Sequence, residues 1–343
     1  MNTRPMLGKL SARTFLRRYW QKDPLFVPDA LPGFTGVIDL RALSALAMRD
    51  DVESRIVERR SGRWHTWHGP FEKARIKKKD ATLLVSGVNM HVAAAEALLR
   101  RFAFIPQARL DDVMVSYATP GGGVGPHVDS YDVFLLQGPG RRRWRVRAKE
   151  YVARPGDLLY LPPGLEHDGV ALDECYTYSI GFRTPRGTEL GAAFLDWLHE
   201  RGLPDAVYRD PQLAPVVHPA QIPSGMLAFT EKLLSRVRWS RGDVADFLGR
   251  YLSAPKPHVV FKRSAARGRG LRLDARSQLL YRGERFFLNG ESFSVPKRAR
   301  PGLKSLADRR ESDLERLAPI RALIGQWQQA GYLHYTDKVK KHG

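Results

Sequence analysis

The spacing of apolar positions changes three times along the chain. Up to about residue 105, short apolar runs alternate with helical spacings. Phe15-Leu16-Arg17-Arg18-Tyr19-Trp20 reads as an amphipathic helix leading into the extended, proline-broken Asp23-Pro24-Leu25-Phe26-Val27. From 110 to 184 the period drops to two, and Gly and Pro punctuate runs of strand length, which predicts a small β-barrel or sandwich. The helical period then returns over 188–200, where Leu190, Ala193, Phe194 and Trp197 share a face, and again over 226–237 and 243–252.

Ser253-Ala254-Pro255-Lys256-Pro257 reads as a linker. Strand-like runs follow at 271–273, 278–281 and 285–288, and Asn289-Gly290 is a hairpin signal. A last helix places Leu314, Leu317, Ile320, Leu323, Ile324 and Trp327 on one face and ends near Gly331, before a final short strand. This tail is an α+β module of winged-helix size. No internal repeat is present.

At 343 residues and 43% hydrophobic content, the chain can build one large domain and one or two small ones. No run approaches the roughly 18 apolar residues of a membrane helix, so no membrane partner is expected. The single cysteine, Cys175, excludes an internal disulfide framework and fits a reducing compartment. At the start of a strand, it is expected to be buried and inert. The first 22 residues hold arginines and no acid, a composition that transit peptides share. The helical spacing there favours a structural element, and a cytoplasmic protein is expected.

The formal charge of +20 calls for acidic partners such as RNA or an RNA-bound particle. Basic clusters lie at Lys77-Lys78-Lys79, within 297–310 and within 338–341. No nucleic-acid motif accompanies them, and a solvated basic surface is the favoured account over direct RNA binding.

The chemistry concentrates at His127-Val128-Asp129 and at His167, which follows Pro162-Pro163-Gly164-Leu165-Glu166. On a strand, positions two apart share a face, so His127 and Asp129 point together. Pro155-Gly156-Asp157, the apolar run 158–161 and the Pro-Pro-Gly turn would return His167 to the same barrel mouth. Two histidines and a carboxylate on one face leave the opposite coordination positions open, the arrangement of non-haem Fe(II) oxygenases. The remaining histidines (65, 68, 91, 199, 218, 258, 334 and 342) lack such framing. In the run from Arg141 to Val146, alternation sets Arg142, Trp144 and Val146 on the interior face and Arg141, Arg143 and Arg145 outside. A buried arginine needs an anion. That anion is either an internal aspartate or a carboxylate ligand, and a bidentate guanidinium suits a dicarboxylate cosubstrate.

Several runs carry a family resemblance. Asp111-Asp112-Val113-Met114, the glycine loop from Pro120 through His127-Val128-Asp129-Ser130-Tyr131 to Phe134, and Gln137-Gly138 followed by Gly140 to Val146 resemble the JmjC/cupin-type bacterial ribosomal oxygenases. The likeness extends to Trp20-Gln21-Lys22, His68-Gly69-Pro70-Phe71, Val88-Asn89 and Tyr178-Ser179, and is dense over about residues 10–185.

It implies an α+β chain with a JmjC-type double-stranded β-helix (cupin jelly roll) over 1–185, a helical dimerisation region over 186–255 and a winged-helix-like domain over 256–343. It also implies a homodimer that uses Fe(II), 2-oxoglutarate and O₂ to hydroxylate a side chain of a large-subunit ribosomal protein, on arginine Cβ in the nearer relatives and on histidine in more distant ones. By the same resemblance, His127, Asp129 and His167 hold iron and Arg142 meets the 2-oxoglutarate 5-carboxylate, while Asp112, Met114, Tyr131 and Ser179 line the substrate pocket.

Two departures stand out. Ala118 replaces a family serine that helps bind 2-oxoglutarate. Ser116, one step back on the same strand face, is the residue placed to compensate, whereas Thr119 should point away. One lost hydrogen bond, worth about 1 kcal/mol, predicts weaker cosubstrate binding. The connection from Arg147 to Pro155 is also short for the family, which bears on the substrate's identity. Two rival functions follow: the same chemistry on another basic protein, or a catalytically silent basic module that binds ribosome or RNA.

Overall fold

The computed structural model describes residues 6–263 and 268–337. Its strands up to residue 182 are β1 (Leu25–Val27), β2 (Ser54–Arg60), β3 (Arg63–His68), β4 (Ala81–Val85), β5 (Leu110–Ala118) and β6 (His127–Val128), then β7 (Val133–Gln137), β8 (Arg142–Val146), β9 (Lys149–Ala153), β10 (Leu158–Leu161), β11 (Glu166–Ala171) and β12 (Cys175–Phe182). They form two sheets, ordered β1-β10-β7-β12-β5-β4-β2-β3 and β6-β11-β8-β9. Val133, Leu135, Leu159 and Leu161 of the first sheet pack against Trp144, Val146 and Ala153 of the second. The sheets thus lie face to face as a double-stranded β-helix.

The central strands β7 and β10 are buried throughout, which explains their unbroken apolar runs. Phe134, Leu136, Leu158 and Tyr160 turn outward into a second core with Phe15 of α1 (Ala12–Arg18), Leu43 of α2 (Leu40–Ala47) and Leu98 of α3 (Ala93–Arg100). Side-chain caps start two of these helices: Ser11 Oγ accepts from the Thr14 N–H at 3.1 Å and Asp39 accepts from the Ala42 N–H at 2.8 Å. The connection after Val146 is a two-residue turn into β9, with Arg147 left-handed at φ 53°.

Three helices follow: α4 (Gly187–Glu200), α5 (Ser224–Leu234) and α6 (Arg241–Ser253). Helix α5 buries no residue in this chain, and Leu195, Val207, Val217, Ile222, Leu234 and Trp239 all stand exposed nearby. The final unit contains β13 (Gly270–Leu273), β14 (Leu279–Arg282), β15 (Arg285–Leu288), β16 (Glu291–Ser294), α7 (Arg300–Arg309), β17 (Glu311–Asp313), α8 (Arg321–Gln329) and β18 (Leu333–Thr336) around a core that includes Leu271, Leu303 and Ile324. Asn289 and Gly290, at φ 51° and 91°, make the tight β15–β16 hairpin.

The single last helix expected from periodicity is two elements. Leu314–Ile320 is 3₁₀ with Pro319 inside it, and α-helix begins only at Arg321. Proline has no N–H to donate and clashes with the preceding turn, a break that apolar spacing does not register. Leu317, Ile320, Ile324 and Trp327 are nevertheless all buried. The basic cluster within 338–341 and His342 lie outside the described residues. Cys175 is fully buried. Among the described residues, no helix is long and apolar enough to cross a membrane.

The last unit is tied to the first through buried charge. Glu96 of α3 lies 2.9 Å from Arg310 and 2.7 Å from Arg272. Arg183 Nη1 donates to the Leu252 carbonyl at 2.8 Å.

Candidate metal centre and its pocket

Strands β6 and β11 pair so that His127 and His167 stand opposite each other, with Asp129 just past the end of β6. Asp129 Oδ1 is 3.9 Å from His127 Nε2, and Oδ2 is 3.7 Å from His167 Nε2. Nδ1 of His127 lies 2.9 Å from the Gly125 carbonyl, and Nδ1 of His167 lies 3.0 Å from that of Leu165. A carbonyl only accepts, so each Nδ1 carries the proton and each Nε2 keeps its lone pair facing the carboxylate. One ligand atom from each residue falls within 4.8 Å of the others, and the three could hold a metal ion. Burial lowers the pKa of His167 and favours the neutral imidazole that binds metal.

The local sequence explains this placement. Gly125, at φ 83°, sits against Trp64 of β3, and a Cβ there would come within 2.6 Å of the indole. The Gly164 N–H donates to the Asp129 carbonyl at 2.8 Å, locking the Pro-Pro-Gly turn beside the carboxylate.

Alternation on β8 buries Arg142, Trp144 and Val146 as expected. Arg142 is only 5% exposed, and its Nε and Nη2 have no hydrogen-bond partner. Its guanidinium lies 5.6 Å from the Trp144 ring centroid, and the internal aspartate partner that an isolated buried arginine would need is absent among the described residues. Trp144 stacks into the room left by Gly169, where a Cβ would meet its ring at 2.4 Å. Arg142 pairs with Ala171 and Val146 with His167. The backbone positions of Arg142 and the His127–His167 pair are therefore four residues apart along β11, about 13 Å of strand, and the guanidinium lies over Trp144, whose ring is 6.0 Å from that of His167. Two buried N–H groups without acceptors, facing the interior below a three-ligand cluster, fit an anion that also reaches the metal.

Ala118 packs with Ala171 and Cys175, so an apolar patch stands where the hydroxyl is missing. Ser116 is buried on the same face, and among the described residues its hydroxyl makes only a 3.5 Å contact to the Thr177 carbonyl. Thr119 turns away and bonds the Ala81 main chain at 3.2 Å. Sequence reasoning missed two buried polar residues, Thr177 and Gln137, which stand in register beside Ser116 across β12 and β7. Thr177 stands two residues before Ser179 on β12, so strand alternation from Ser179 puts it on the same face.

Met114 and Ser179 face each other across β5 and β12. Tyr131 is half-exposed at the mouth, and its phenol is pushed up to about 12 by burial and by the carboxylates of Asp129 and Asp112. Asp112 accepts the Gly87 N–H at 2.8 Å, and burial raises its pKa. Ser179 is also in register with Leu135 of the inter-sheet core, which puts Met114 and Ser179 on the inner face, and Tyr131 lies close enough to Asp129 and Asp112 to feel both charges. A fifth neighbour was not foreseen: Lys256, whose Nζ lies 3.7 Å from Asp112.

A JmjC domain model matches residues 97–154 and 147–190, two segments that meet at the tight β8–β9 turn. A ROXA-like winged-helix model matches residues 236–334. The chain is 35% identical over 330 residues to the ribosomal protein uL16 3-hydroxylase of Escherichia coli (strain K12), covering 85% of this chain and 87% of that one. The structure of YcfD, a ribosomal oxygenase from Escherichia coli, superposes with TM-score 0.82 at 33% identity over 96% of this chain and 98% of that one. YcfD in complex with cobalt and 2-oxoglutarate superposes with TM-score 0.83 at 32% identity, covering 95% and 98%.

Proposed function

The chain belongs to the JmjC-domain bacterial ribosomal oxygenases, and from that premise we propose that it is an Fe(II)- and 2-oxoglutarate-dependent hydroxylase acting on an arginine Cβ of the cytoplasmic ribosomal protein uL16. The observation that carries the reading is the unpartnered Arg142 guanidinium buried beneath the His127, Asp129 and His167 cluster. A buried guanidinium without an internal acceptor needs an anionic ligand, and the distal carboxylate of 2-oxoglutarate supplies one.

In this reading His127, Asp129 and His167 hold the iron, Arg142 anchors the distal carboxylate of 2-oxoglutarate, and Ser116 adds a hydroxyl in place of the one lost at Ala118. When bound, iron and 2-oxoglutarate supply the O₂ activation that turns a C–H bond into C–OH. The chain's own residues do the rest. The two Nδ1–H···O=C bonds hold both imidazoles in the ligating tautomer. Asp112 receives the substrate guanidinium, while Met114, Tyr131 and Ser179 pack its stem and orient it. Residues 1–185 form the catalytic unit and 256–343 the winged helix. The helical region 186–255 forms a homodimer interface, a reading supported by α5, which has no fully buried residue, and by its exposed apolar neighbours. A monomeric mass in sedimentation would sink that part.

The test is intact-mass comparison of ribosomal proteins from strains with and without the gene, followed by reaction of the purified protein with uL16, Fe(II) and 2-oxoglutarate. We expect uL16 to lose the mass of one oxygen atom in the deletion strain. We also expect stoichiometric succinate in vitro, abolished in His127→Ala. An unchanged uL16 mass would refute the substrate. The two-residue β8–β9 turn, short for this family, favours a second reading in which another basic protein is the target. The same screen would then show the oxygen missing from that protein instead.

A further inference from the structure

The carboxylate assigned above to the substrate guanidinium already has a cation on it. Lys256 Nζ lies 3.2 Å from Asp111 and 3.7 Å from Asp112, and Arg183 Nε lies 3.5 Å from Asp111. Two carboxylates face two cations, so the formal charges cancel before any substrate arrives. A further guanidinium would leave the group with one charge in excess unless a resident cation gives way. Arg183 is the less able to do so, because it is also bonded to the Leu252 carbonyl at 2.8 Å. Lys256 is a single ammonium on a flexible stem, a point charge without the paired donors of a guanidinium.

Nothing in the pocket's own strands puts Lys256 there. It follows α6 by three residues, between Pro255 and Pro257, which restrict the backbone on both sides. Ser253 Oγ accepts from the Gly290 N–H at 3.1 Å and pins this segment to the C-terminal unit. Ala254, Pro255, Lys256 and Val259 then wall a cavity of about 60 Å³ shared with Asp111 and Asp112. The docked C-terminal unit therefore delivers the cation to the edge of the catalytic barrel.

We propose that Lys256 is a specificity-determining residue, a resident cation that holds Asp112 until a substrate guanidinium displaces it and then remains on Asp111. The proposal rests on the reading of Asp112 as the substrate carboxylate. Displacement sets a threshold for entry. A guanidinium can offer two parallel donors to Asp112 and outcompete one ammonium, whereas an uncharged side chain cannot displace it at all. The cost of displacement falls on arginine substrates alone, so Lys256 weakens arginine binding and narrows its margin over a neutral residue of the same length, which leaves the lysine on Asp112.

The test measures affinities by calorimetry on the full chain, so it does not depend on turnover. The probes are the uL16 peptide identified by the mass comparison and the same peptide with citrulline, arginine's neutral isostere, in its place. In Lys256→Met we expect the arginine peptide to bind roughly 2- to 5-fold tighter, the scale of one partly exposed ion pair. The citrulline peptide should be unchanged, so the ratio of the two dissociation constants should widen by the same factor. Lys256→Arg, which keeps the charge, should return the ratio to the wild-type value or below it. An unaltered ratio in Lys256→Met, or equal weakening of both peptides, would show a merely structural lysine and overturn the proposal. Asp112→Asn separates the two levels: if it leaves arginine-peptide affinity unchanged, the pocket assignment itself is wrong and Lys256 falls with it.

Discussion

Replacing Arg142 by methionine should make the ligand-free protein more stable while removing its response to 2-oxoglutarate. The guanidinium is 5% exposed and leaves Nε and Nη2 without acceptors. Each unsatisfied buried donor costs about 1–3 kcal/mol, so the two together cost roughly 2–6 kcal/mol. Methionine fills a similar volume with no polar atom. Against this gain stands the lost arginine contact on the Trp144 face, worth about 0.5–2 kcal/mol. The midpoints of these ranges leave the ligand-free variant about 3 kcal/mol more stable, or a melting temperature higher by about 5–10 °C at roughly 2–4 °C per kcal/mol. With a divalent metal and 2-oxoglutarate at about 100 times its Kd, the wild type should gain about 2.7 kcal/mol by mass action and the variant almost none. The order of the two melting curves should therefore narrow or reverse on adding cosubstrate, as read by differential scanning calorimetry in matched buffers. A ligand-free Arg142→Met that melted several degrees below wild type would mean that the arginine has an internal partner. A variant that kept the full 2-oxoglutarate shift would remove Arg142 from the cosubstrate site.

Two other consequences are open to direct measurement. Glu96 is 5% exposed and answers Arg310 and Arg272 across the contact between the catalytic and C-terminal units, so Glu96→Gln strands buried guanidinium charge. We expect a loss of about 3–5 kcal/mol in urea unfolding, and a loss below 1 kcal/mol would contradict the reading. His91 is held down to about 4, first by burial and then by Arg49 and Arg276. Its folded value lies below its unfolded one, so its contribution is intact above about pH 6.5 and is lost as the pH falls toward 4, because only the unfolded chain takes up the proton there. His91→Gln should flatten the decline in urea midpoint between pH 7 and 4.5, and parallel wild-type and variant declines would exclude this origin.

Much of the site was legible because its logic is local. His127 and Asp129 share a face by strand geometry, and Arg142 enters the barrel for the same reason, with Trp144 and Val146 marking the interior. The apolar run at 158–161 reads as a buried strand, and β10 is buried throughout. Periodicity failed at Pro319, where the spacing of Leu314, Leu317 and Ile320 continues across a residue that cannot donate a helical hydrogen bond. Gln137 escaped notice because a lone glutamine in an apolar strand carries no signal until its cross-strand neighbours are known, whereas Thr177, two residues before Ser179, was within reach of strand alternation.

The sequence by itself determined the periods, the turns and the ligand types, since each depends on residues within a few positions of one another. It also sufficed for the family, because the motifs around His127 and Arg142 are long and contiguous. Only the tertiary structure decided which anions and cations meet. Glu96 and Arg310 are 214 residues apart, and Asp111 and Lys256 are 145 apart. Charges pair by proximity after the chain has closed, and no local spacing encodes that closure. The same holds for Arg142: its direction was written in the alternation of β8, but that it would find no carboxylate among the described residues became visible only once the neighbouring strands were in place.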